Sequence, residues 1–453
     1  MLKRIFLWTV IGAALLTAAG LAYFALRPTN SKSDKSGLNA VFAPADSTSR
    51  VVYDDKPVRL TYWRTWQEAA MIQPIVDEFQ KLHPNVAIEI RDIDLGSYDT
   101  ELTRAAQTGN LPDIFSVQND WLPRYVEYTT PAPETVYTEK VYKDTFVDVA
   151  QEELLYNGKI HGVTLGVSTL GLYYNQEIFR QAGLEPPQNW EQFVEVSRKL
   201  TQKNGATITR SGAALGTSNV HQAADIQAAL ILQNGAKLTD SPPTRSLIAQ
   251  PSSDGYAAGA KALDFYASFA RPSLQNYAFS DALGYTVEAF AKGQVAMMIN
   301  YPFKEPELNN YKRTVNPGLD YRTAKLPQIA GEKEVNFAQF WAEAVNKNSL
   351  HSEIAWDFIR FAATKDNQRT YNKTSYRPTS RKDLIAEQKG DEYLGAFVSQ
   401  LGTAQTFYRG NDKETIGYFY NTNVSILSGL DAQLAAKNLE RKVTEVVSRY
   451  PLK

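Results

Sequence analysis

Short apolar segments alternate with amphipathic segments from Val58 onward, and this alternation restricts the fold more than any other feature of the sequence. The order is VRLTYW, MIQPIVDEFQKLH, VAIEIRDI, SYDTELTRAAQTG and PDIFSV, which predicts strand, helix, strand, helix and strand. Pro74 near the start of the first predicted helix and Pro84 just after its end fit these bounds. Successive strands joined by helices are parallel and have right-handed crossovers. The sequence therefore predicts an α/β fold with a largely parallel sheet.

The length of the chain predicts more than one hydrophobic core. With 453 residues, the chain exceeds the size at which a single core keeps growing, so two lobes of roughly 150 to 200 residues are expected. The formal charge of -1 at pH 7 provides no positive field that would attract nucleic acid. Cysteine is absent, which excludes disulfides, thiolate metal sites and a lipid-attachment cysteine. We therefore expect a two-lobe monomer without a nucleic-acid partner.

An uncharged apolar run near the amino terminus predicts a membrane anchor. A lysine and an arginine precede the 21 residues from Phe6 to Leu26, which as a helix would extend about 31 Å and cross a bilayer core. These charges place the amino end in the cytoplasm and the rest of this single-pass protein outside it. A cleaved signal peptide is the alternative, because small residues around 18–22 offer a cleavage site. We expect an anchor at 1–26 and a flexible linker, rich in Ser, Asp, Lys and Pro, at 27–56.

Aromatic and polar residues follow two of the predicted strands. In open α/β sheets, ligands bind beyond the carboxyl ends of the strands, where loops and helix amino termini converge. The candidate ligand-binding residues at these two strand ends are Trp63, Arg64, Trp66, Asn119, Asp120 and Trp121. For the tryptophans the alternative is core or surface packing, and for Asn119 and Asp120 it is solvation at the surface.

No residue pattern in the sequence indicates catalysis by a metal or by histidine. The four histidines, at positions 83, 161, 221 and 351, have no partner at metal-ligand spacing, so neither a zinc site nor a Ser-His-Asp triad is predicted. A G-x-x-x-x-G-K-[ST] phosphate loop is also missing. We therefore expect no metal, no cofactor and no catalytic residue. Two carboxylates distant in sequence could still converge as a glycosidase pair, so an enzyme remains an alternative.

A series of motifs occurs along the chain in one order. After the strand that ends at Trp63 come DEFQKLHPNV, GNLPDIF, YNGKIHGV, LYYNQEIFRQAGLEPPQNWEQF, ALILQNGA, AFAKGQVAMMINYPF, KNSLHSEIAWDFIRFA and YRPTSRKDL. With this series, the chain from about Val58 to Leu384 resembles the extracellular solute-binding proteins that serve ABC importers. The resemblance is to the oligosaccharide-binding class related to maltodextrin-binding protein. It implies a two-lobe periplasmic-binding-protein-like α/β fold with a ligand cleft between the lobes.

The resemblance also implies that the chain passes between the lobes more than once. We place the first lobe at 57–167 and 300–344, and the second lobe at 168–299 and 345–453. The passages, and therefore the hinge residues, are then expected near Ser168, Met298 and Val345.

A saccharide ligand is the third implication of the resemblance. Sugars present apolar C–H faces and a ring of hydroxyls, so their sites combine aromatic rings with carboxylate, amide or guanidinium groups. From their positions in the family pattern, further residues expected to line the cleft are Tyr173, Tyr301, Gln339, Trp341 and Arg377. The INGPW-like sequence that is usual in the family is INYPF here, with Tyr301 and Phe303 replacing a small residue and a tryptophan. The identity of the sugar therefore stays open.

These expectations combine into a predicted function. The chain would be a membrane-tethered receptor that captures a sugar or oligosaccharide by closure of two lobes and delivers it to the permease subunits of an ABC importer. A ligand held by both lobes stabilises the closed arrangement through its higher affinity for that state. The alternatives are a membrane-attached glycosidase and a sensor or adhesion module on the same fold, because fold alone does not fix function.

Overall fold

The structure, a computed structural model, describes residues 51, 55–65, 69–251 and 255–450. The predicted anchor at 1–26, the candidate Trp66 and nearly all of the predicted linker lie outside these residues. Within the described ranges, no helix combines the length and the apolar character that crossing a membrane requires. The described residues belong to one compact unit, Ser47–Lys453. Two hydrophobic cores within it define a first lobe and a second lobe.

The strands are β1 Val58–Thr65, β2 Val86–Ile93, β3 Ile114–Gln118, β4 Leu155–Tyr156, β5 Lys159–Ile160, β6 Val163–Thr164, β7 Ser168–Thr169, β8 Gly171–Asn175, β9 Gln202–Asn204, β10 Thr207–Arg210, β11 Met297–Asn300, β12 Tyr321–Lys325, β13 Asn336–Gln339, β14 Trp341–Val345 and β15 Ala404–Gln405. The α-helices are α1 Ala69–Leu82, α2 Leu95–Thr108, α3 Leu122–Tyr125, α4 Glu139–Thr145, α5 Asp148–Leu154, α6 Gln176–Ala182, α7 Trp190–Leu200, α8 Ala223–Gln233, α9 Ala258–Ser268, α10 Thr286–Ala291, α11 Glu305–Thr314, α12 Ser352–Ala362, α13 Lys365–Ser375, α14 Ile385–Gln388, α15 Gly395–Val398, α16 Asp412–Leu427 and α17 Ala432–Arg449. Short 3₁₀ turns include Asn119–Trp121, Val126–Tyr128 and Pro302–Lys304.

A five-stranded sheet forms the centre of the first lobe, in the order β2-β1-β3-β14-β6. β1 pairs in parallel with β2 and β3, as predicted, whereas β14 runs antiparallel to both β3 and β6. Alternate residues of a strand point to one face, and β1 accordingly buries Leu60 and Tyr62. Helix α1 buries Ile72, Val76 and Phe79, whose spacing of three or four residues places them on one side. The strand ends that carry the candidate residues therefore lie along one edge of this sheet.

The second lobe contains a three-stranded antiparallel sheet, in the order β11-β8-β12. Its central strand, β8, pairs with β11 so that Tyr173 lies opposite Met298. Helix α8 is buried at all of its residues from Ala223 to Gln233. Helices α9 and α16 pack against it and against each other, and α17 packs on both of these helices. Because α8 is buried on every side, a charged residue in it requires a hydrogen-bonding or charged partner.

In the described part of the chain, three segments connect the two cores. Val167 belongs to the first core and Leu170 to the second, and β7 lies between them. Ser168, one of the predicted hinge residues, is the first residue of β7. The chain returns through β13, which pairs antiparallel with β7. The third passage lies between Leu401 in the first core and Phe407 in the second.

Two of the predicted passages differ from this packing. Met298 lies in β11, and the chain beyond it forms α11 and then β12, which pairs with β8 in the second lobe. Val345 lies in β14, and α12 and α13 after it pack on α1 in the first lobe. The segment 300–337 therefore belongs to the second core and the segment 345–371 to the first. The reason is burial, since β12 completes the sheet around β8 and the rings of α12 contact those of β1 and α1.

Candidate functional site

A buried arginine, Arg409, lies where the two lobes meet and contacts three carboxyl groups. Its Nη2 atom pairs with Asp225 Oδ1, and its Nη1 atom lies 3.3 Å from Asp412 Oδ1. The same Nη1 atom lies 3.9 Å from Asp120 Oδ2, which belongs to the first lobe. The Arg409 side chain is only 3% exposed. We refer to Arg409, Asp120, Asp225 and Asp412 as the Arg409 cluster.

The first lobe contributes Asp120 from the 3₁₀ turn that directly follows β3. Asn119 holds this turn in place, because its Oδ1 accepts from Phe340 N at 3.1 Å and its backbone N donates to Phe340 O at 2.9 Å. From the same turn, Trp121 Nε1 donates to Asp412 Oδ2 across the lobe boundary at 2.8 Å. The turn that directly follows β3 therefore contacts the second lobe.

The second lobe contributes Asp225 and Asp412 from the amino ends of two helices. Asp225 lies in the first turn of α8, and the Tyr301 hydroxyl donates to its Oδ2 at 2.8 Å. Asp412 is the first residue of α16, where the side chain of Asn411 caps the helix. Helix amino termini stabilise carboxylates, because the free backbone N–H groups and the helix dipole favour negative charge there. Two carboxylates thus face one guanidinium group.

The carboxyl groups of Asp120 and Asp412, which come from opposite lobes, have pKa values shifted in opposite directions. Burial, followed by the neighbouring Asp412 carboxylate, raises the pKa of Asp120 well above its usual range. Burial acts to raise the pKa of Asp412, but the Arg409 guanidinium and the hydrogen bonds from Asp120 and Trp121 together hold this pKa below its usual value. The raised pKa favours the protonated form of Asp120, which hydrogen-bonds to the Asp412 carboxylate. Together these groups offer hydrogen-bond donors and acceptors at one point.

Aromatic rings border the Arg409 cluster on the side of the first lobe. Trp121 and Trp341 pack edge to face, with ring centroids 5.3 Å apart. Tyr98 lies 5.7 Å from Trp341, and the Arg124 guanidinium lies 5.3 Å from the centroid of the Trp121 ring. Trp341 reaches this place because β14 pairs with β3 and sets it opposite Gln118. The structure therefore brings together Asp120, Trp121 and Trp341 from the set of sequence candidates.

A small cavity next to Trp341 is lined by two further candidates, Arg64 and Arg377. Arg64 is buried and pairs with Glu343 at 3.1 Å, and it also donates to two tyrosine hydroxyls. The Arg377 guanidinium lies 5.5 Å from the centroid of the Phe303 ring, which packs against the second core. Arg64 is therefore bound by first-lobe groups, whereas Arg377 contacts the second lobe.

The remaining sequence candidates lie outside the Arg409 cluster or support it indirectly. Tyr301 lies beside the cluster, because its hydroxyl donates to Asp225 Oδ2. The Tyr173 hydroxyl in turn donates to Tyr301 O at 2.8 Å. Trp63 is partly buried, and the Arg91 guanidinium covers its ring at 4.9 Å. Gln339 is partly exposed at the end of β13, where it pairs with β7.

Three members of the cluster, Asp225, Arg409 and Asp412, are absent from the sequence prediction. Asp225 carried a signal, since it is the only charged residue in AADIQAALILQ and a carboxylate inside an apolar helix requires a partner. Arg409 and Asp412 lie in YRGNDKE, which is typical of an ordinary polar helix start. No local pattern distinguishes them, because their partners come from two other parts of the chain.

Two buried polar atoms at the end of β3 and in the turn after it have no hydrogen-bond partner among the described residues. They are Gln118 Nε2, at the end of β3, and Asp120 Oδ1. Gln118 is 5% exposed and Asp120 is 4% exposed. Burying an unpaired donor or acceptor costs about 1–3 kcal/mol. A bound hydroxyl group both donates and accepts, so it has the chemistry to pair with either atom.

A second contact between the lobes involves Glu153 on α5. Thr406, in the segment that enters the second lobe, donates its hydroxyl to Glu153 Oε1, and Asn119 also hydrogen-bonds to this carboxylate. Burial raises the pKa of Glu153 to about 7 from its ordinary 4.5, although both hydrogen bonds oppose this increase. Between pH 4.5 and 7 the unfolded chain therefore releases a proton that the folded chain retains. The contribution to stability is complete below about pH 4.5 and is lost as the pH rises through 7.

The Glu153→Gln variant is expected to remove this part of the pH dependence. The free energy of unfolding of the wild type should fall relative to that of the variant by about 1–3 kcal/mol between pH 5 and pH 8. Denaturant unfolding at several pH values measures this difference, and Glu78→Gln, at an exposed position on α1, is the control. Parallel pH profiles for the wild type and Glu153→Gln would show that Glu153 ionises normally in the folded protein.

Two α/β lobes joined by paired strands, with polar and aromatic side chains of both lobes meeting at the join, define a two-lobe binding protein. The sequence profile of the family described as bacterial extracellular solute-binding protein matches residues 65–369. The chain belongs to this family, which confirms the family assignment made from the ordered motifs.

Individual relatives have low sequence identity but extensive coverage. The galactooligosaccharide-binding protein of Bacillus subtilis strain 168 is 21% identical over 341 residues, which make up 75% of this chain and 76% of the relative. The sugar-binding protein MalE from Xanthomonas citri has a TM-score of 0.74 at 20% identity, covering 86% of this chain and 98% of that one. The GacH receptor of Streptomyces glaucescens GLA.O, solved unliganded and with acarbose, has a TM-score of 0.69 at 20% identity, with coverages of 86% and 99%. These similarities confirm the predicted two-lobe periplasmic-binding-protein-like fold.

Proposed function

We propose that the protein captures a saccharide between its two lobes outside the cytoplasm and delivers it to an ABC importer. The supporting observation is the Arg409 cluster, in which Asp120 from the first lobe meets Asp412 and Arg409 from the second. A solute that displaces the contact between Asp120 and Asp412 gains hydrogen bonds from both lobes at once. Closure around the solute then follows from its higher affinity for the arrangement in which both sets of groups are available.

The chemistry of the site favours a saccharide over other solutes. Hydroxyl groups donate and accept, so they match carboxyl groups and a guanidinium group lying side by side. The rings of Trp121 and Trp341 offer flat surfaces for the apolar C–H faces of a sugar. The cluster contains no excess of positive charge that would select an anion, because Arg409 already faces the carboxylates of Asp225 and Asp412. Relatives that are described as binding galactooligosaccharide and acarbose support the same ligand class.

The proposed location and partners follow from membership of the solute-binding family. The apolar run at 1–26 would tether the binding lobes to the outer face of the cell membrane, with 27–56 as the connecting linker. The permease subunits of an importer would receive the solute, since the chain itself has no phosphate-loop motif for ATP. The lobes would open and close about β7 and β13, with Ser168 at the first of these strands.

A glycosidase is less well supported by the arrangement of the carboxyl groups. Glycosidase carboxyl pairs are about 5–10 Å apart, with the sugar or a water molecule between them. Asp120 and Asp412 instead hydrogen-bond to each other. Among the described residues, no group of three or more histidine and acidic side chains is arranged to hold a metal ion. The arrangement therefore fits binding better than hydrolysis.

A thermal-shift screen over mono-, di- and oligosaccharides tests the proposed function. A ligand at one hundred times its dissociation constant is expected to stabilise the folded protein by about 2.7 kcal/mol and to raise the melting temperature. Millimolar glycerol is the control for non-specific effects of a polyol. The proposal would be contradicted if no saccharide raised the melting temperature, and release of a hydrolysis product from a glycoside would support the enzyme instead.

A further inference from the structure

We propose that an open cavity beside the Arg409 cluster is a second saccharide subsite, so that the preferred ligand is an oligosaccharide of at least three units. This inference rests on the proposed function. We call the space the α2–α17 cavity, because it lies between helix α2 of the first lobe and the end of helix α17 of the second. Its volume is about 610 Å³, which is within the range of small-molecule sites.

Both lobes contribute to the walls of the α2–α17 cavity. Thr103 and Gln107 line it from α2, Tyr125 lines it from α3, and Asn411 and Tyr450 line it from the second lobe. A ligand that fills it would therefore contact both lobes, as expected for a solute that stabilises lobe closure. The small cavity at Trp341 is enclosed by protein groups. The α2–α17 cavity, in contrast, is open and can receive part of a ligand.

The α2–α17 cavity adjoins the Arg409 cluster, because Arg124 and Trp121 lie between the two. Arg124 lines the cavity, and its guanidinium lies 5.3 Å from the centre of the Trp121 ring. Trp121 in turn donates to Asp412 in the cluster. A saccharide with one unit at Asp120 and Asp412 would therefore extend past the Trp121 ring into the cavity.

The groups around the cavity match a neutral, hydroxyl-rich ligand. Tyrosine rings at 125, 128 and 450 alternate with threonine and amide side chains. Two of its charged groups are already paired within the protein, since Arg124 Nη2 lies 2.9 Å from Asp99 Oδ1 and Arg449 pairs with Glu414. Arg124 Nε is buried and has no hydrogen-bond partner among the described residues. Arg104 and Glu127, of opposite charge, also line the cavity, which thus offers an unused donor without a marked excess of either charge.

Filling the cavity from one side tests the inference. The Gln107→Trp variant adds a large ring at an exposed position of α2 that lines the cavity. Gln73→Trp makes the same exchange at an exposed position of α1 in the same lobe and is the matched control. The probes are maltose, cellobiose, mannobiose, xylobiose and melibiose, each with its three- and four-unit members, and calorimetry measures their dissociation constants.

For the series that binds, the wild type is expected to bind the three- and four-unit members at least tenfold more tightly than the two-unit member. Gln107→Trp should weaken binding of the longer members at least tenfold and change that of the two-unit member less than twofold. Gln73→Trp should leave all affinities unchanged. Equal wild-type affinities at all lengths, or longer members that bind Gln107→Trp normally, would overturn the subsite and leave the proposed function standing. A wild type that binds none of the probes would contradict the proposed function itself and this inference with it.

Discussion

The Arg409→Met variant is expected to lose about 3–5 kcal/mol of unfolding free energy, because removal of one partner leaves the remaining buried charges uncompensated. Asp225 and Asp412 both pair with this guanidinium, and Asp120 lies 3.9 Å from it. Methionine retains much of the apolar stem of the side chain but none of its donors. The loss should be smaller at low pH, where protonation neutralises the carboxylates that the variant leaves without a partner.

Thermal and denaturant unfolding of the wild type and Arg409→Met measure this loss. Arg369→Met is the matched control, because Arg369 also pairs with two carboxylates, Asp366 and Glu387, but on the exposed surface of α13. Surface ion pairs contribute little to stability, so the control should unfold nearly as the wild type does. Equal stability of the two variants would contradict the assignment of Arg409 as the group that compensates the charges where the lobes meet.

The Trp341→Ala variant is expected to weaken saccharide binding by about 1–3 kcal/mol, or about 5- to 150-fold, which is the effect of truncating a buried aromatic anchor. The Trp341 ring packs against Trp121 at 5.3 Å and lines the small cavity beside Arg64 and Arg377. Its removal takes away an aromatic surface and also frees the Trp121 ring to move. Calorimetric titration with the saccharide found in the thermal-shift screen measures the change in affinity.

A loss of stability alone must be separated from a loss of binding. Trp356→Ala is the matched control, because Trp356 is a buried tryptophan of the same core whose Nε1 donates to the Thr130 carbonyl rather than to the site. Both variants should be destabilised, since truncating a buried tryptophan costs about 3–5 kcal/mol. At a temperature where both remain folded, only Trp341→Ala should have a lower affinity. Equal affinities would place the ligand away from Trp341.

Local sequence patterns were sufficient to predict most individual elements. The alternating segments from Val58 gave the strands and helices of the parallel part of the first sheet, because their apolar residues recur with periods of two and of three to four. The pattern of YTVEAFAKGQVAMMINYPF predicts a helix, a glycine turn and a strand, and the segment forms these elements, with positive φ at Gly293. The apolar segment VNFAQFWAEAV predicts a single strand, but it forms two, β13 and β14, which lie in different sheets.

The division of the chain between the lobes depended on contacts that the sequence does not encode locally. Strand β12 and helix α12 each have an apolar face that either lobe could bury, so their patterns do not identify the partner. The structure pairs β12 with β8 and packs α12 against α1. The same limit applies to the site, where Asp120 and Trp121 follow a predicted strand but Arg409 comes from a loop almost 300 residues further on. Only the fold brings these groups to one point.

A crystal structure of the complex with the saccharide that raises the melting temperature most tests the central claim directly. We expect sugar hydroxyls within about 3.2 Å of both Asp120 in the first lobe and Asp412 in the second. The direct hydrogen bond between these two carboxyl groups should then be replaced by bonds to the sugar. A saccharide that contacts one lobe only, with Asp120 and Asp412 still bonded to each other, would contradict capture between the lobes.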